Sequence, residues 1–459
     1  MDTTPKRPNN AKSFLEKHAA TFKMAGILIL ILVLLIPLAM IRSILHERMV
    51  RRNEAVAGIT ATWGGEQELV GPVLVIPYLY KVKAWREQTV NGKPERLEVE
   101  ETHTANAFFL PAELAIAGTV TPSKLHRGIY EAVVYKGRLT ITGRFAPPAF
   151  AELGIAAENM LWDKALVTLA VSDLRGTGEM LRLKLGTRTY DFMPGSRLKY
   201  YVSGISARTP GVWAEGTNLE FQMALDLKGS RGISFAPVGQ QNRVKLTSTW
   251  ADPSFSGAFL PAEREVSAAG FDAAWEISWY GRRYPQQSSD QGQGYAFTAD
   301  SITPSLFGVD FILPVDTYRM VERATKYGAL FITLVFAAFF LFEVLAALRI
   351  HTIQYTLIGA ALCLFYLAVL SLSEFIRFGY AYGAGVLASS LLIILYSLGA
   401  LKSGWRSALI AAILLAIYTY LYVVLQLQDY SLLFGTAGLF VVLGIVMYVT
   451  RKLDWATRA

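Results

Sequence analysis

Met24 to Ile41 reads MAGILILILVLLIPLAMI, an apolar run with no charge in it. Its length suits the hydrocarbon core of a bilayer, about 30 Å thick. A cleavable leader has a shorter apolar core and a small-residue exit. Here Pro37 lies near the end and no good A-x-A site follows, so the run predicts an uncleaved signal-anchor, with the first transmembrane helix over residues 24–45. Ahead of it, residues 1–23 are polar and basic, with Lys6, Arg7, Lys12, Lys17 and Lys23. Basic residues flanking a span favour the cytoplasmic side, which predicts a cytoplasmic N-terminal tail.

Past the anchor, apolar runs give way to alternation. Phe221, Met223, Leu225 and Leu227 alternate with Gln222, Ala224, Asp226 and Lys228. Leu181, Leu183 and Leu185 do the same, as do Leu139 and Ile141, and Val244, Leu246, Ser248 and Trp250. Period two with one polar side predicts half-buried antiparallel strands. Turn residues separate the runs, as in Asn91-Gly92-Lys93-Pro94 and Phe192-Met193-Pro194-Gly195, and no long amphipathic helix stands out. Residues 46–326 therefore read as one large β-rich domain of sandwich type. Within it, Phe109-Leu110-Pro111-Ala112-Glu113 returns 150 residues later as Phe259-Leu260-Pro261-Ala262-Glu263, and Phe235-Ala236-Pro237 is a looser F-x-P. Strand-exit chemistry accounts for the echo, because Pro ends a strand cheaply; two related β subdomains are the sharper alternative.

From Tyr327 the chain is apolar again, with five further spans at 327–348, 354–373, 378–401, 405–427 and 430–450. The breaks are Arg349–His351, Glu374–Arg377, Lys402–Arg406 and Gln428-Asp429. With the N-terminus inside, the inner segments carry eleven Lys and Arg and the short outer loops one, Arg377. That asymmetry follows the positive-inside rule, and a large domain translocates largely regardless of its own charge. The expected fold class is thus membrane α+β: six transmembrane helices, with the exported β-rich domain inserted between helix 1 and helix 2. A five-helix bundle spans 327–450, a cytoplasmic tail 451–459, and both termini lie inside.

Composition agrees. Of 459 residues, 53% are hydrophobic and 17% charged, with a mean hydropathy of +0.34; soluble proteins carry about 25% charged residues. A soluble enzyme, a secreted disulfide scaffold and a disordered regulator are excluded as whole-chain readings. The net charge of +8 is uneven: residues 46–326 hold 31 Lys and Arg against 30 Asp and Glu, so the excess belongs to the hydrophobic ends. A nucleic-acid-binding domain concentrates basic residues on its own surface, and no nucleic-acid partner is expected. The single cysteine, Cys363, permits neither an intramolecular disulfide nor a cysteine-based metal site.

Few residues point to chemistry. The five histidines, His18, His46, His103, His126 and His351, lack zinc-helix spacing, and no phosphate-binding loop or nucleophile elbow is present. No catalytic, metal or cofactor residue is assigned. Ionisable groups near lipid carry more weight, because burying charge there is expensive. Glu343 lies within the second span, about a turn and a half from its inner end, able to accept a proton or cation or to pair with Arg349 or His351. The plainer alternative is a bond to neighbours at the interface. Glu374 and Arg377, three apart at an outer boundary, suit an ion pair on one helical turn, with a transport gate as the alternative. Asp429 is most simply a loop residue. Tyr355, Tyr366, Tyr380, Tyr382, Tyr418, Tyr420 and Tyr422 give an aromatic bundle whose outer members suit an interfacial belt.

The stretch from His351 to Tyr382, HTIQYTLIGAALCLFYLAVLSLSEFIRFGYAY, resembles the signature of the CreD family of inner-membrane cell-envelope integrity proteins. Trp63-Gly64-Gly65, Gly71-Pro72-Val73-Leu74-Val75-Ile76-Pro77-Tyr78, Phe109-Leu110-Pro111, Arg127-Gly128-Ile129-Tyr130-Glu131 and Phe259 to Arg264 extend the likeness over nearly the whole chain. The resemblance implies a bacterial inner membrane, a periplasmic β domain, and a link to envelope stress and to tolerance of colicins and β-lactams under a two-component regulator. It brings no established catalytic residues.

Together these features predict a non-enzymatic inner-membrane protein that supports envelope integrity. Its partners are the lipid bilayer and a periplasmic envelope component or protein bound by the β domain. The alternative is a small-molecule or lipid transporter whose β domain receives or delivers substrate, with Glu343 as its one candidate polar step. A membrane-bound enzyme acting on envelope polymers needs a cleft with paired carboxylates of raised pKa.

Overall fold

The computed structural model describes residues 19–90, 93–177, 180–291, 298–312, 317–345, 350–401, 403–427 and 430–451. The chain divides into two compact units, one of Met1–Asn53 with Val315–Ala459 and one of Glu54–Pro314.

Helix α1 (Ala19–Trp63) is unbroken over 45 residues. Leu30, Leu34, Leu38, Ile41 and Leu45 recur every three or four positions, so they share one face, and all are buried in the helical unit's core. The sequence reading ended this helix at residue 45, ahead of the charged stretch that follows His46. The helix continues because HERMVRRNEAVAGITATW contains no proline and repeats the spacing with Val56, Ile59 and Trp63. That second stripe packs on Leu125, Ala132 and Val134 of the β unit.

After the β unit come α2 (Thr317–Lys326) and α3 (Gly328–Leu345), then α4 (Thr352–Ser373), α5 (Phe378–Leu401), α6 (Gly404–Gln426) and α7 (Ser431–Thr450). Among the described residues, α1, α4, α5, α6 and α7 are long and apolar enough to cross a membrane; α2 and α3 meet at a bend of 47° and together make a sixth candidate. Helix α2 corrects the sequence reading, which assigned 317–326 to the β-rich block. Its Val321 and Ala324 join the helical core, so the units divide at 53/54 and 314/315 rather than at 45/46 and 326/327.

The β unit opens with β1 (Gln67–Val90), β2 (Lys93–Phe109), β3 (Glu113–Arg127), β4 (Tyr130–Phe145), β5 (Leu166–Val171), β6 (Arg182–Leu185), β7 (Arg188–Asp191), β8 (Met193–Pro194) and β9 (Gly204–Arg208). It continues with β10 (Leu219–Ser230), β11 (Gly232–Phe235), β12 (Gln241–Ser248), β13 (Pro253–Gly257), β14 (Glu263–Ser267), β15 (Gly270–Ser278), β16 (Gln287–Ser289) and β17 (Phe307–Phe311). Among the described residues these make two sheets. One runs β13-β17-β11-β1-β5-β9-β8, with β2 and β16 added through β1; the other runs β14-β15-β12-β3-β4-β10-β6-β7.

Strand placement follows the alternation. In β10 the even-spaced Phe221, Met223, Leu225 and Leu227 are buried and Gln222 and Ala224 exposed. The sheets face each other across one core, with Tyr135 of β4 against Phe311 of β17 at 5.1 Å and Trp275 of β15 against Phe307 of β17 at 5.8 Å. Pairing departs from the all-antiparallel expectation, because β1 lies parallel to β11 and β3 parallel to β12. Alternation reports burial, which is the same for either direction. The two Phe-Leu-Pro-Ala-Glu copies enter the eight-stranded sheet alike: Ala112 N–H donates to Arg144 O, and Ala262 N–H to Ala274 O, each at 2.8 Å, just before β3 and β14.

Candidate functional site

In the helical unit, Glu343 lies on α3 with 7% of its surface exposed. Its carboxylate accepts from Lys23 Nζ of α1, from Tyr355 Oη of α4 at 3.0 Å and from Ile350 N–H at 3.1 Å. Lys23 also donates to Ile350 O at 2.7 Å. Three donors thus surround this buried carboxylate, one of them a cation of opposite charge. The partner is therefore Lys23, not His351, which caps the start of α4 by accepting from Ile353 N–H; Arg349 lies outside the described residues. The sequence held a clue, since Glu343 and Lys23 stand near the ends of two different apolar runs with opposite sign.

Glu374, at the end of α4, pairs with Arg48 Nε of α1 at 3.5 Å and accepts from Tyr318 Oη at 3.4 Å. Arg377 is exposed and takes no part in that pair, contrary to the expected i, i+3 bridge. The Arg52 guanidinium lies 5.9 Å over the Tyr318 ring, and Arg42 donates to Thr325 O at 2.7 Å at the end of α2. A helix end exposes carbonyls without intrahelical partners, and a cation there satisfies them. The arginines beyond the anchor thus fasten α1 to its neighbours within this unit. Asp429 lies outside the described residues.

The interior of the same unit is aromatic. Tyr418 has Phe331 and Phe365 each at 4.8 Å, Tyr382 Oη donates to Tyr418 O at 2.7 Å, and Ser389 Oγ bonds Tyr418 Oη at 2.8 Å. Tyr355, Tyr366, Tyr382 and Tyr418 are buried, whereas Tyr380 and Tyr420 are exposed.

In the β unit, the Trp63-Gly64-Gly65 stretch is where α1 joins the sheets. Trp63 Nε1 donates to Tyr135 O at 3.2 Å, Lys228 Nζ sits 5.0 Å over the indole, and Arg175 Nη1 donates to Ala61 O at 2.5 Å. Gly64 has φ 151°, and a Cβ there would lie 2.7 Å from Lys228 O. Asp173 accepts from Gly65 N–H at 3.0 Å, and bonds to the Arg175 side chain hold its carboxyl well below the usual range. Next along the chain, burial and the nearby Asp310 carboxylate raise Glu66.

A second cluster explains the F-x-P motifs. Arg282 is 9% exposed; its Nη1 donates to Pro237 O at 3.2 Å and Val238 O at 2.5 Å, and its Nη2 to Gln286 Oε1. Gln286 Nε2 in turn donates to Leu110 O at 2.7 Å and Pro111 O at 2.9 Å. One Arg–Gln pair thereby bonds carbonyls at the ends of two proline-ended strands, beside Gln240 N–H on Pro111 O and Tyr284 Oη on Pro237 O. Burial lowers the Arg282 pKa. Sequence reading missed this cluster, since its members are scattered along the chain.

The β unit also bears an open groove of about 400 Å³, lined largely by polar side chains including Glu113, Thr142, Arg144, Lys184, Glu220 and Gln241. Among the described residues no group of three or more His, Cys, Asp or Glu side chains is placed to hold a metal ion.

The family model described as "Inner membrane protein CreD" matches residues 19–456. The Inner membrane protein CreD of Escherichia coli (strain K12) is 34% identical over 444 residues, covering 96% of this chain and 94% of that protein. Both the helical unit and the β unit fall inside these matches. With its apolar helices and its two facing sheets, the chain belongs to the CreD family of inner-membrane proteins.

Proposed function

We propose that this inner-membrane protein is non-enzymatic and supports envelope integrity and stress tolerance, with the β unit acting in the periplasm as a binding platform for an envelope component or protein partner. In this reading the chain crosses the membrane six times with both termini cytoplasmic, and the β unit is tethered by α1 at one end and α2–α3 at the other. The observation that carries it is the β1–β2 hairpin. Val90 pairs with Lys93 at its tip and Leu74 with Phe109 at its base. Near the base β5 pairs with β1 as far as Val75, and β16 with β2 only from Ala107. Beyond Tyr78 and Asn106, among the described residues, the two strands pair only with each other. A two-stranded ribbon is marginal by itself in water and leaves free edges that invite a partner.

The transporter alternative asks for a polar path through the helices. Its one candidate, Glu343, is neutralised by Lys23 and held by Tyr355, and the interior beside it is packed with aromatic rings. That arrangement favours a scaffold. The test is rescue of cells lacking the protein under detergent and β-lactam challenge, comparing the full chain with a form ending near residue 349 that is shown to insert. Rescue by the short form supports the platform. Failure of the inserted short form moves function into the later helices.

A further inference from the structure

We propose that the groove on the solvent face of the eight-stranded sheet binds an extended, uncharged oligosaccharide, an inference that rests on the β unit's role as a binding platform. The groove crosses β12, β3, β4, β10 and β6 near one end of the sheet, through Gln241 and Arg243, Glu113, Thr142 and Arg144, Glu220 and Gln222, and Lys184. Register places these in one band, with Gln241 opposite Glu113, Glu113 opposite Arg144, Arg144 opposite Glu220, and Gln222 opposite Lys184.

All five strands are interior to the sheet. Their backbone N–H and C=O groups are engaged on both sides, so a peptide cannot add as a further strand. Recognition must come from side chains. These include two carboxamides, a hydroxyl and charged groups of both signs, with Arg144 paired to Glu113 at 2.6 Å and Arg243 to Glu276 at 3.6 Å. Neither an anion nor a cation is favoured by such a row, and an acyl chain finds no apolar wall. A chain of hydroxyls, each both donor and acceptor, fits it. Four strand spacings give a run of about 19 Å, room for several sugar rings.

Two aromatic residues follow in sequence where β15 meets the start of β12. Gln241 pairs with Ser278, the last residue of β15, and Trp279 N–H donates to Gln240 O at 2.8 Å. Trp279 and Tyr280 follow, with ring centroids 5.7 Å apart, and Tyr280 is 86% exposed. Rings offer an apolar face on which the C–H face of a sugar stacks, while the phenol keeps a polar handle.

The test uses the full chain in lipid nanodiscs, free of sugar-headed detergent, titrated with a hexamer of N-acetylglucosamine and a hexamer of glucose by calorimetry and saturation-transfer NMR. The expected result is saturable binding of at least one hexamer with Kd below about 1 mM. Tyr280→Ala weakens it about tenfold, and Gln222→Ala and Lys184→Ala each several-fold; all three side chains are exposed, so folding is not at stake. No saturation by either hexamer, or binding indifferent to all three substitutions, overturns the proposal. Rescue by the short form without hexamer binding ends the oligosaccharide assignment and leaves the platform standing. Hexamer binding lost in Tyr280→Ala supports the groove even where the short form fails to rescue.

Discussion

Removing Lys23 tests whether Glu343 is a structural anion or a working proton site. Among the described residues, Lys23→Met removes the one cation paired with a carboxylate that is 7% exposed and leaves two donors, Tyr355 Oη and Ile350 N–H. Breaking a buried pair from one side costs about 3–5 kcal/mol, because the remaining charge is uncompensated. The two surviving charge-assisted bonds place the loss near about 3 kcal/mol. Glu343→Gln is milder. Its amide oxygen still accepts from both donors, and the lysine, 28% exposed, extends its stem toward the headgroups, so the loss is about 1 kcal/mol. The double variant should match Glu343→Gln alone, a coupling of about 3 kcal/mol, the size of the Lys23→Met loss. The assay is unfolding of the full chain reconstituted in bicelles, followed by steric trapping, for wild type, both singles and the double. A loss below about 1 kcal/mol in Lys23→Met, or strictly additive singles, would refute the structural-anion reasoning.

Asp173→Asn should cost about 2 kcal/mol at neutral pH, from weakened bonds to the Gly65 and Arg175 N–H groups. Since the folded carboxyl sits below its ordinary range, wild type holds this advantage above about pH 4 and loses it as pH falls through the folded pKa; thermal melts at pH 7 and pH 3 read the difference. Arg282→Met should lower stability by about 3 kcal/mol, because the Val238 carbonyl and the Gln286 amide oxygen lose this partner, whereas Pro237 O keeps Tyr284 Oη; a melt unchanged from wild type would contradict the clasp. Gly143→Ala should cost about 1–3 kcal/mol, since its Cβ would meet Glu113 O at 2.1 Å and the Phe221 ring at 2.5 Å, and limited proteolysis of the β unit reports the loosening.

The fastening of α1 gives the two units a common theme. Its arginines are held by Glu374, by the end of α2 and by Tyr318, and its last turn by Arg175, Asp173 and the Lys228–Trp63 stack. Each set of contacts satisfies groups that a helix end would otherwise leave unpaired. The groove side chains, by contrast, sit on interior strands whose backbone is fully paired, the rigid kind of support that a binding site needs.

What the sequence determined by itself is local and periodic. The uncharged run from Met24 to Ile41, the later apolar runs and the two-residue alternation through β4, β10 and β12 each report the solvent that a segment faces, and burial in lipid or core is written residue by residue. The continuation of α1 to Trp63 was legible in principle, from the spacing of Val56, Ile59 and Trp63, but charged residues hid it behind the end of the apolar run. Only the tertiary structure decided the partners: Lys23 for Glu343, Arg48 for Glu374, Arg282 and Gln286 for the carbonyls of Pro237 and Pro111, and the parallel pairing of β3 with β12. These contacts join residues from tens to hundreds of positions apart. A side chain's charge or an unpaired carbonyl states that a partner is needed, and the chain's path through space determines which residue answers it.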